Sequence, residues 1–334
     1  MKVADMHCDT IAELLYNKKS GKGSCSLRQN ELHIDLEKME KGDYLVQNFA
    51  MFVNLKRRER PLEWCLELID QYYEELGKNS DRILPAYTCE DIRRNQEAGI
   101  MSAVLTIEEG GVLHGNPAFL RILHRLGVRM VTLTWNYCNE LGWPNALTPE
   151  GEKADLRTPN TVNGLTKRGL EMIAEMEQLG IVVDVSHLSD AGFYDVLNVT
   201  TKPFAASHSN ARALCPHIRN LTDDMIRKLA QRGGVMGMNY CGEFLDPEFW
   251  KKENPEGTLS QIVDQILYIG NIGGYGCIGL GSDFDGIQTH PDLKDASFLP
   301  VLEDALWKAG LGQAEIEGIF YKNVLNLYQE VWKG

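Results

Sequence analysis

The chain has 334 residues and a formal net charge of −13, with 43% hydrophobic and 24% charged residues, the composition of a globular protein and not a disordered one. The acidic balance argues against nucleic acid as a partner, because phosphate binding needs basic patches. No apolar run approaches the roughly 20 residues that span a bilayer, and Asp5, His7 and Asp9 interrupt any apolar leader, so a cytoplasmic protein with no membrane partner is expected.

In chain order, the first strand is predicted over 2–7, followed by an irregular insertion over 18–41. A strand over 44–52 precedes a helix over 62–76, with Pro61 at its start, where a missing N–H costs little. Strands over 102–108 and 129–135 lead to 136–163, a polar stretch rich in Gly, Pro and Asn that reads as a long loop over one end of the fold. The amphipathic pattern over 166–179 stops at Gly180, and strands follow over 181–187 and 203–208. Thr222 is the expected N-cap of a helix over 222–231, with Asp223 and Asp224 complementing its dipole and Gly233 beyond its end. A strand over 234–240, a helix over 259–269 and a strand over 277–283 complete the set. Eight strand-then-helix units, several with the continuous apolar runs of buried parallel strands, predict one (β/α)8 TIM-type barrel over 1–334. The eight cysteines (Cys8, Cys25, Cys65, Cys89, Cys138, Cys215, Cys241, Cys277) include no C-x-x-C pair and read as reduced thiols.

The residues that close these strands carry the chemistry. The first strand runs into His7-Cys8-Asp9, the third into Glu108-Glu109, the fifth into His187, the sixth into His208 and the eighth into Asp283-Phe284-Asp285. A barrel gathers the C-terminal ends of its strands on one face, where active sites are built. Histidine and carboxylate together suit zinc or a similar divalent ion. Two residues apart on a strand, His7 and Asp9 share a face and can hold one ion, while His187 and His208 can hold a second. A carboxylate such as Glu108 can bridge two ions about 3.5–4 Å apart, whose shared hydroxide is a nucleophile at neutral pH. Asp283 can then carry the proton to a leaving amine. Each feature alone has an ordinary explanation: H-x-D arises by chance, a strand-terminal histidine often caps backbone, and Asp283-Phe284-Asp285-Gly286 can be a turn. Their common placement at one end of one barrel is the argument. His33, His114, His124, His217 and His290 fall outside the pattern and read as surface or loop residues.

Six blocks resemble the membrane (renal-type) dipeptidases, binuclear zinc barrel enzymes, across essentially the whole length. They are Asp5-Met6-His7-Cys8-Asp9, Ile107-Glu108-Glu109-Gly110, Leu126 to Thr134, Val183 to Ser189, Ser207-His208-Ser209-Asn210-Ala211 and Gly281 to Gly286. The resemblance implies two zinc ions per chain, one on His7 and Asp9, the other on His187 and His208, with Glu108 bridging. Glu109 is the alternative bridge, since the family's block has one glutamate where this chain has two. Arg219 resembles the arginine that binds the substrate's C-terminal carboxylate, with Arg212 a nearby competitor; Asp283 resembles the catalytic carboxylate, and Asp285 orients its loop. Where the family carries a histidine that steadies the tetrahedral intermediate, this chain has Trp135, whose indole N–H donates one hydrogen bond but holds no positive charge. The implied substrates are dipeptides, with a D-residue tolerated at the C-terminal position, and the implied assembly is a homodimer. Competing readings are an amidohydrolase-type barrel enzyme acting on another amide or ester, and a non-catalytic metal-binding relative.

Overall fold

The computed structural model describes residues 1–23, 26–251 and 258–333. Cys25 lies outside them; the other seven cysteines are free thiols. The strands are β1 (Val3–Asp5), β2 (Tyr44–Phe52), β3 (Ile83–Pro85), β4 (Met101–Glu108), β5 (Val128–Thr132), β6 (Val182–Asp184), β7 (Ala205–Ala206), β8 (Val235–Met238) and β9 (Ile278–Leu280). All pair in parallel in the order β2-β1-β9-β8-β7-β6-β5-β4, and β2 pairs with β4 from Val46–Ser102 to Phe52–Glu108, which closes an eight-stranded ring. The chain is the (β/α)8 barrel expected. The ninth strand, β3, occupies the edge of β4 that β5 takes over from Leu105 onward. Three residues ending in proline are too few to show an alternation, and the sequence reading missed it.

Period-two alternation decides what each strand buries. On β4, Ala103, Leu105 and Ile107 pack outward against the helices, while Val104 joins Ala4, Met6, Val46, Met130, Val182, Ala205 and Val235 inside the ring. Glu108, in phase with Val104, therefore points inward. The C-terminal helix Asn323–Val331 closes the opposite end, its Tyr328 hydroxyl donating to Asn48 Oδ1 at 2.8 Å.

Pro61–Lys78 starts at its proline, Thr166 caps Lys167–Leu179, Thr222 caps Asp223–Gln231, and Gly180 ends its helix at φ 75°. The 18–41 segment is less irregular than expected: helix Thr10–Ser20 runs into it, and Asp35 caps a short helix at Leu36–Lys41. Residues 136–163 form no helix or strand, only isolated bridges such as Leu147–Lys153. No helix among the described residues is long and apolar enough to cross a membrane.

The strands stop earlier than the sequence suggests. His7, Trp135, His187, His208 and Asp283 lie on the turns just beyond β1, β5, β6, β7 and β9, and only Glu108 ends its own strand. Positive φ at His187 (69°) and Asp283 (62°) takes them out of extended backbone.

Candidate metal centre and substrate cavity

Two buried aspartates shape these turns. Asp5 Oδ1, at the end of β1, accepts the N–H groups of His7 (3.2 Å) and Ser282 (3.0 Å), and Oδ2 accepts the Ser282 hydroxyl at 2.6 Å. Asp184, at the end of β6, does the same for its neighbours. Its Oδ1 accepts Ser186 N–H (3.0 Å) and Ser207 N–H (2.8 Å), and its Oδ2 accepts the hydroxyls of Thr132 and Ser207, both at 2.6 Å. Each aspartate replaces the ladder bonds lost where strands end, and so aims the following histidines at the barrel axis. Neither aspartate is among the site residues expected from the sequence. Their signal was an acid inside an apolar strand, two or three residues before a histidine.

The imidazoles and carboxylates converge around Glu108. Its Oε2 lies 3.4 Å from His7 Nε2, while its Oε1 lies 3.1 Å from His187 Nε2 and 3.7 Å from His208 Nε2. His7 Nε2 is also 3.5 Å from Asp9 Oδ2 and 3.9 Å from Asp283 Oδ1, and the two distal histidines approach to 3.1 Å between Nε2 atoms. All six side chains are buried or nearly so. A Cβ at position 286 would fall 2.3 Å from Asp9 Oδ2 and 2.6 Å from Asp283 Oδ1, so only glycine leaves room for these two carboxylates.

Hydrogen bonds on the far nitrogens orient the rings. His187 Nδ1 lies 2.9 Å from Asn136 Oδ1, and His208 Nδ1 lies 2.7 Å from Ser207 Oγ. The carbonyl-type oxygen of Asn136 requires a proton on His187 Nδ1, which leaves its Nε2 lone pair facing Glu108. Burial, and then the Arg219 charge, push His187 down to about 4; burial and His7 hold His208 well below the ordinary histidine range. Burial and the Glu108 charge push Asp9 up to about 7. Burial raises Asp283 to about 6, with Glu108 adding to the shift and His7 opposing it. Burial pulls His7 down, but Glu108 and Asp9 together hold it well above its usual value. Glu108 stays below the carboxylate range: burial opposes ionisation, and His7 and His187 outweigh it.

This donor set fits divalent metal. Buried His7 Nε2 and Asp9 Oδ1 have no hydrogen-bond partner in the protein, and unsatisfied buried polar atoms are rare without a ligand to complete them. His7, Glu108 and His208, and likewise His7, Asp9 and Asp283, each bring three ligand atoms within 4.8 Å of one another.

The neighbouring acids and arginines sort themselves by their partners. Glu109 turns away at φ 104°; its oxygens accept Gly111 N–H (2.7 Å), the Asn139 amide and Trp135 N–H (3.2 Å), and it anchors the loop after β5. Arg212 is committed to a two-pronged pair with Asp190 at 2.7 and 2.8 Å. Arg219 has no carboxylate within 4 Å among the described residues. Its Nη2 donates to His208 O at 3.2 Å and its buried Nε has no partner. Asp285 accepts His33 N–H (2.6 Å) and the Thr10 hydroxyl (2.5 Å), which ties the turn after β9 to the 18–41 segment.

His217 lies in a loop, one of the two expected settings, but not at the surface. It is only 6% exposed, its ring lies 4.6 Å from that of Phe244, and Nδ1 accepts Arg219 N–H at 3.1 Å. Burial, then the charges of Arg219 and Arg212, press it down to about 3, so it stays neutral. Among the other four, His114 is exposed at a turn, while His33 is three-quarters covered against Asp285.

A cavity of about 300 Å³ opens onto the cluster, walled by Asp9, Glu108, Trp135, His187, Arg219 and Asp283 among others. Trp135 stacks edge-on against Phe52 at 4.9 Å and lies 6.1 Å from the His187 ring, so the residue replacing the family's histidine does face the site. A second cavity of about 580 Å³ adjoins it and shares Asn136, His187, Arg219 and Phe244 as a common wall. A cleft of about 620 Å³ around Arg58 and Trp64 contains none of the cluster.

Residues 1–333 match the family model of the membrane dipeptidases, peptidase family M19. The chain belongs to that family. It is 30% identical to "Dipeptidase tcpJ" of Claviceps purpurea over 90% of this chain and 69% of that protein. It is 32% identical to "Dipeptidase aclJ" of Aspergillus oryzae over 89% and 70%. Among solved structures, a metallopeptidase from Rhodobacter sphaeroides, bound to a phosphinate mimic of L-Ala-D-Ala, superposes with a TM-score of 0.90 at 23% identity over 99% of both chains. Membership makes this protein a hydrolase of the metallodipeptidase class.

Proposed function

We propose that the protein hydrolyses the single peptide bond of dipeptides, with two zinc ions held by His7, Asp9, Glu108, His187 and His208. The observation that carries this is the division of Glu108: one oxygen faces His7, the other faces His187 and His208. Held by these five side chains, two ions would supply Lewis acidity toward a carbonyl oxygen and would acidify water. Arg219 offers a guanidinium without a carboxylate partner to the substrate's free C-terminal carboxylate, and its place on the cavity wall sets which bond lies over the cluster. Asp283 carries the proton from water to the leaving amine, held in place by Asn239 Nδ2, which donates to its Oδ2 at 2.9 Å. Trp135 closes one wall and excludes water, without the charge an imidazolium would place there. The dipeptidase reading is favoured over an amidohydrolase-type alternative with a carboxylated-lysine bridge by a catalytic cavity with no lysine on its wall among the described residues.

A D-residue at the C-terminal position is part of this reading, supported by the mimic bound to the Rhodobacter sphaeroides relative. The test is metal analysis together with a dipeptide panel containing L–L, L–D and D–D pairs, beside an Asp283→Ala control. About two zinc per chain and turnover that collapses in the control are expected. Full metal loading with no dipeptide hydrolysed overturns the assignment.

A further inference from the structure

The two adjoining cavities have opposite charge. The catalytic cavity is walled by Asp9, Glu13, Glu108, Asp283 and Asp285, with Arg219 the one cation among its described residues. The neighbouring cavity of about 580 Å³ is walled by Lys56, Lys153 and Arg219, against a single carboxylate among the described residues, Glu243. In a chain of net charge −13 such a pocket is not a sample of the average surface. Neither lysine has a carboxylate within 4 Å among the described residues; Lys56 lies over the Tyr137 ring at 4.5 Å, and Lys153 sits on the 136–163 loop.

The same wall carries a neutral donor. His217 Nδ1 accepts the Arg219 N–H, so the ring proton sits on Nε2, which is buried and has no acceptor in the protein. Together with the unpartnered Arg219 Nε, this gives two buried donors and two exposed ammonium groups around one space. A buried donor without an acceptor is costly, and a ligand that supplies the acceptor relieves that cost.

Arg219 stands on the wall common to both cavities. When it holds the α-carboxylate of the substrate's second residue, the side chain of that residue branches from the very next carbon, which puts the cationic cavity on the far side of Arg219 within its reach. We propose that this cavity receives the side chain of the dipeptide's C-terminal residue and selects a carboxylate there, making X-Glu and X-Asp dipeptides the preferred substrate class. The proposal rests on the dipeptidase reading above and adds to it which dipeptides are favoured. Charge at a partly exposed site is screened, so the discrimination is modest and falls with salt.

The test compares Ala-Glu with its neutral isostere Ala-Gln and with Ala-Lys, in both configurations of the second residue, on the zinc-loaded protein. Ala-Glu is expected to exceed Ala-Gln in kcat/KM by roughly five- to tenfold at low ionic strength, with Ala-Lys the poorest. That ratio is expected to fall toward one in the Lys56→Gln/Lys153→Gln double variant and at about 0.5 M salt. Both lysines are exposed, so the variant leaves the core intact. A ratio near one in the parent, or an undiminished ratio in the double variant, overturns the proposal. Calorimetric binding of Ala-Glu and Ala-Gln to the zinc-loaded Asp283→Asn protein separates it from the hydrolysis reading. Preferential binding of Ala-Glu without turnover in the parent sustains the charged cavity and removes the dipeptidase assignment. Equal binding, or none, removes the cavity's role even if other dipeptides are hydrolysed.

Discussion

On one side of Glu108, Asp5 ties the ends of β1 and β9 and presents His7, Asp9 and Asp283; on the other, Asp184 ties β6 and β7 and presents His187 and His208. The scaffolding is the same, a buried aspartate accepting two N–H groups and a serine hydroxyl, but the donors differ in kind. The first side gathers carboxylates, whose like charges are expensive to bury together and two of which are pushed up to about 7 and about 6. The second gathers neutral imidazoles whose outer nitrogens are already engaged by Asn136 and Ser207. A cation on the first side relieves repulsion; on the second it meets lone pairs already aimed. Similar supports thus produce two sites expected to differ in affinity and in pH response.

Glu108→Ala is the largest perturbation, because it removes the carboxylate whose two oxygens face the two halves. Activity is expected to fall by at least about a thousandfold, with zinc content dropping below two per chain. Retention of both ions and of activity would show that the halves do not meet at Glu108. Glu109→Gln, by contrast, perturbs its contacts to Gly111, Trp135 and Asn139, none of them in the cluster, and metal content should stay at the parent level.

The next test separates the two supports. Asp184→Asn and Asp5→Asn each keep the shape but lose acceptor capacity, with an expected loss of about 10–100-fold in metal affinity. Titration with a chelator should show the loss in different ions for the two variants. Asp184 accepts four hydrogen bonds where Asp5 accepts three, so Asp184→Asn should also be the less stable in urea, by about 1 kcal/mol. Loss of the same ion in both variants would mean that the halves are not independently supported.

The sequence carried the barrel well, because buried parallel strands announce themselves as apolar runs and Glu108 lies in phase with Val104. It also carried which residues meet, since all five proposed ligands and Asp283 converge. Their local backbone was less legible. His187 and Asp283 take positive φ, which apolar periodicity does not record, and the strands therefore looked longer than they are. The supports escaped for a related reason: the role of Asp184 depends on Thr132, 52 positions away, and on Ser207, 23 positions away. His217 looked like a loop residue and is one. Its burial comes from Phe244, on a distant segment.

Arg219 and Arg212 extend the comparison to the substrate, since both are near-buried guanidinium groups and, among the described residues, only Arg212 has a carboxylate partner. Arg219→Lys loses the two-pronged fork and should raise KM by about tenfold with a smaller change in kcat. Arg212→Lys weakens the Asp190 pair and should instead cost about 1–2 kcal/mol of stability at nearly unchanged KM. Steady-state kinetics and urea unfolding on the two variants read these apart, and a KM effect in Arg212→Lys would reverse the assignment.

The smallest expected effect is the most direct test of the opposed halves, and it is read in metal-free protein as stability against pH. Asp283 rises in the fold from 3.8 to about 6, so the stability linked to its protonated form is fully present below about pH 3.8 and is lost as pH climbs through about 6. His187 falls from 6.5 to about 4, so its contribution is present above about pH 6.5 and is lost as pH drops toward about 4. Between those limits the two halves pull in opposite directions. Asp283→Asn removes the carboxylate side of that opposition, and should make the metal-free protein about 1 kcal/mol more stable at pH 7.5 while leaving it unchanged near pH 4. The same substitution removes the proposed proton carrier, so the variant should be firmer and inactive at once. Urea unfolding in chelator at the two pH values decides it. No gain at pH 7.5 would mean that the carboxylates are not in conflict before metal arrives, and the contrast between the halves would reduce to the identity of their donors.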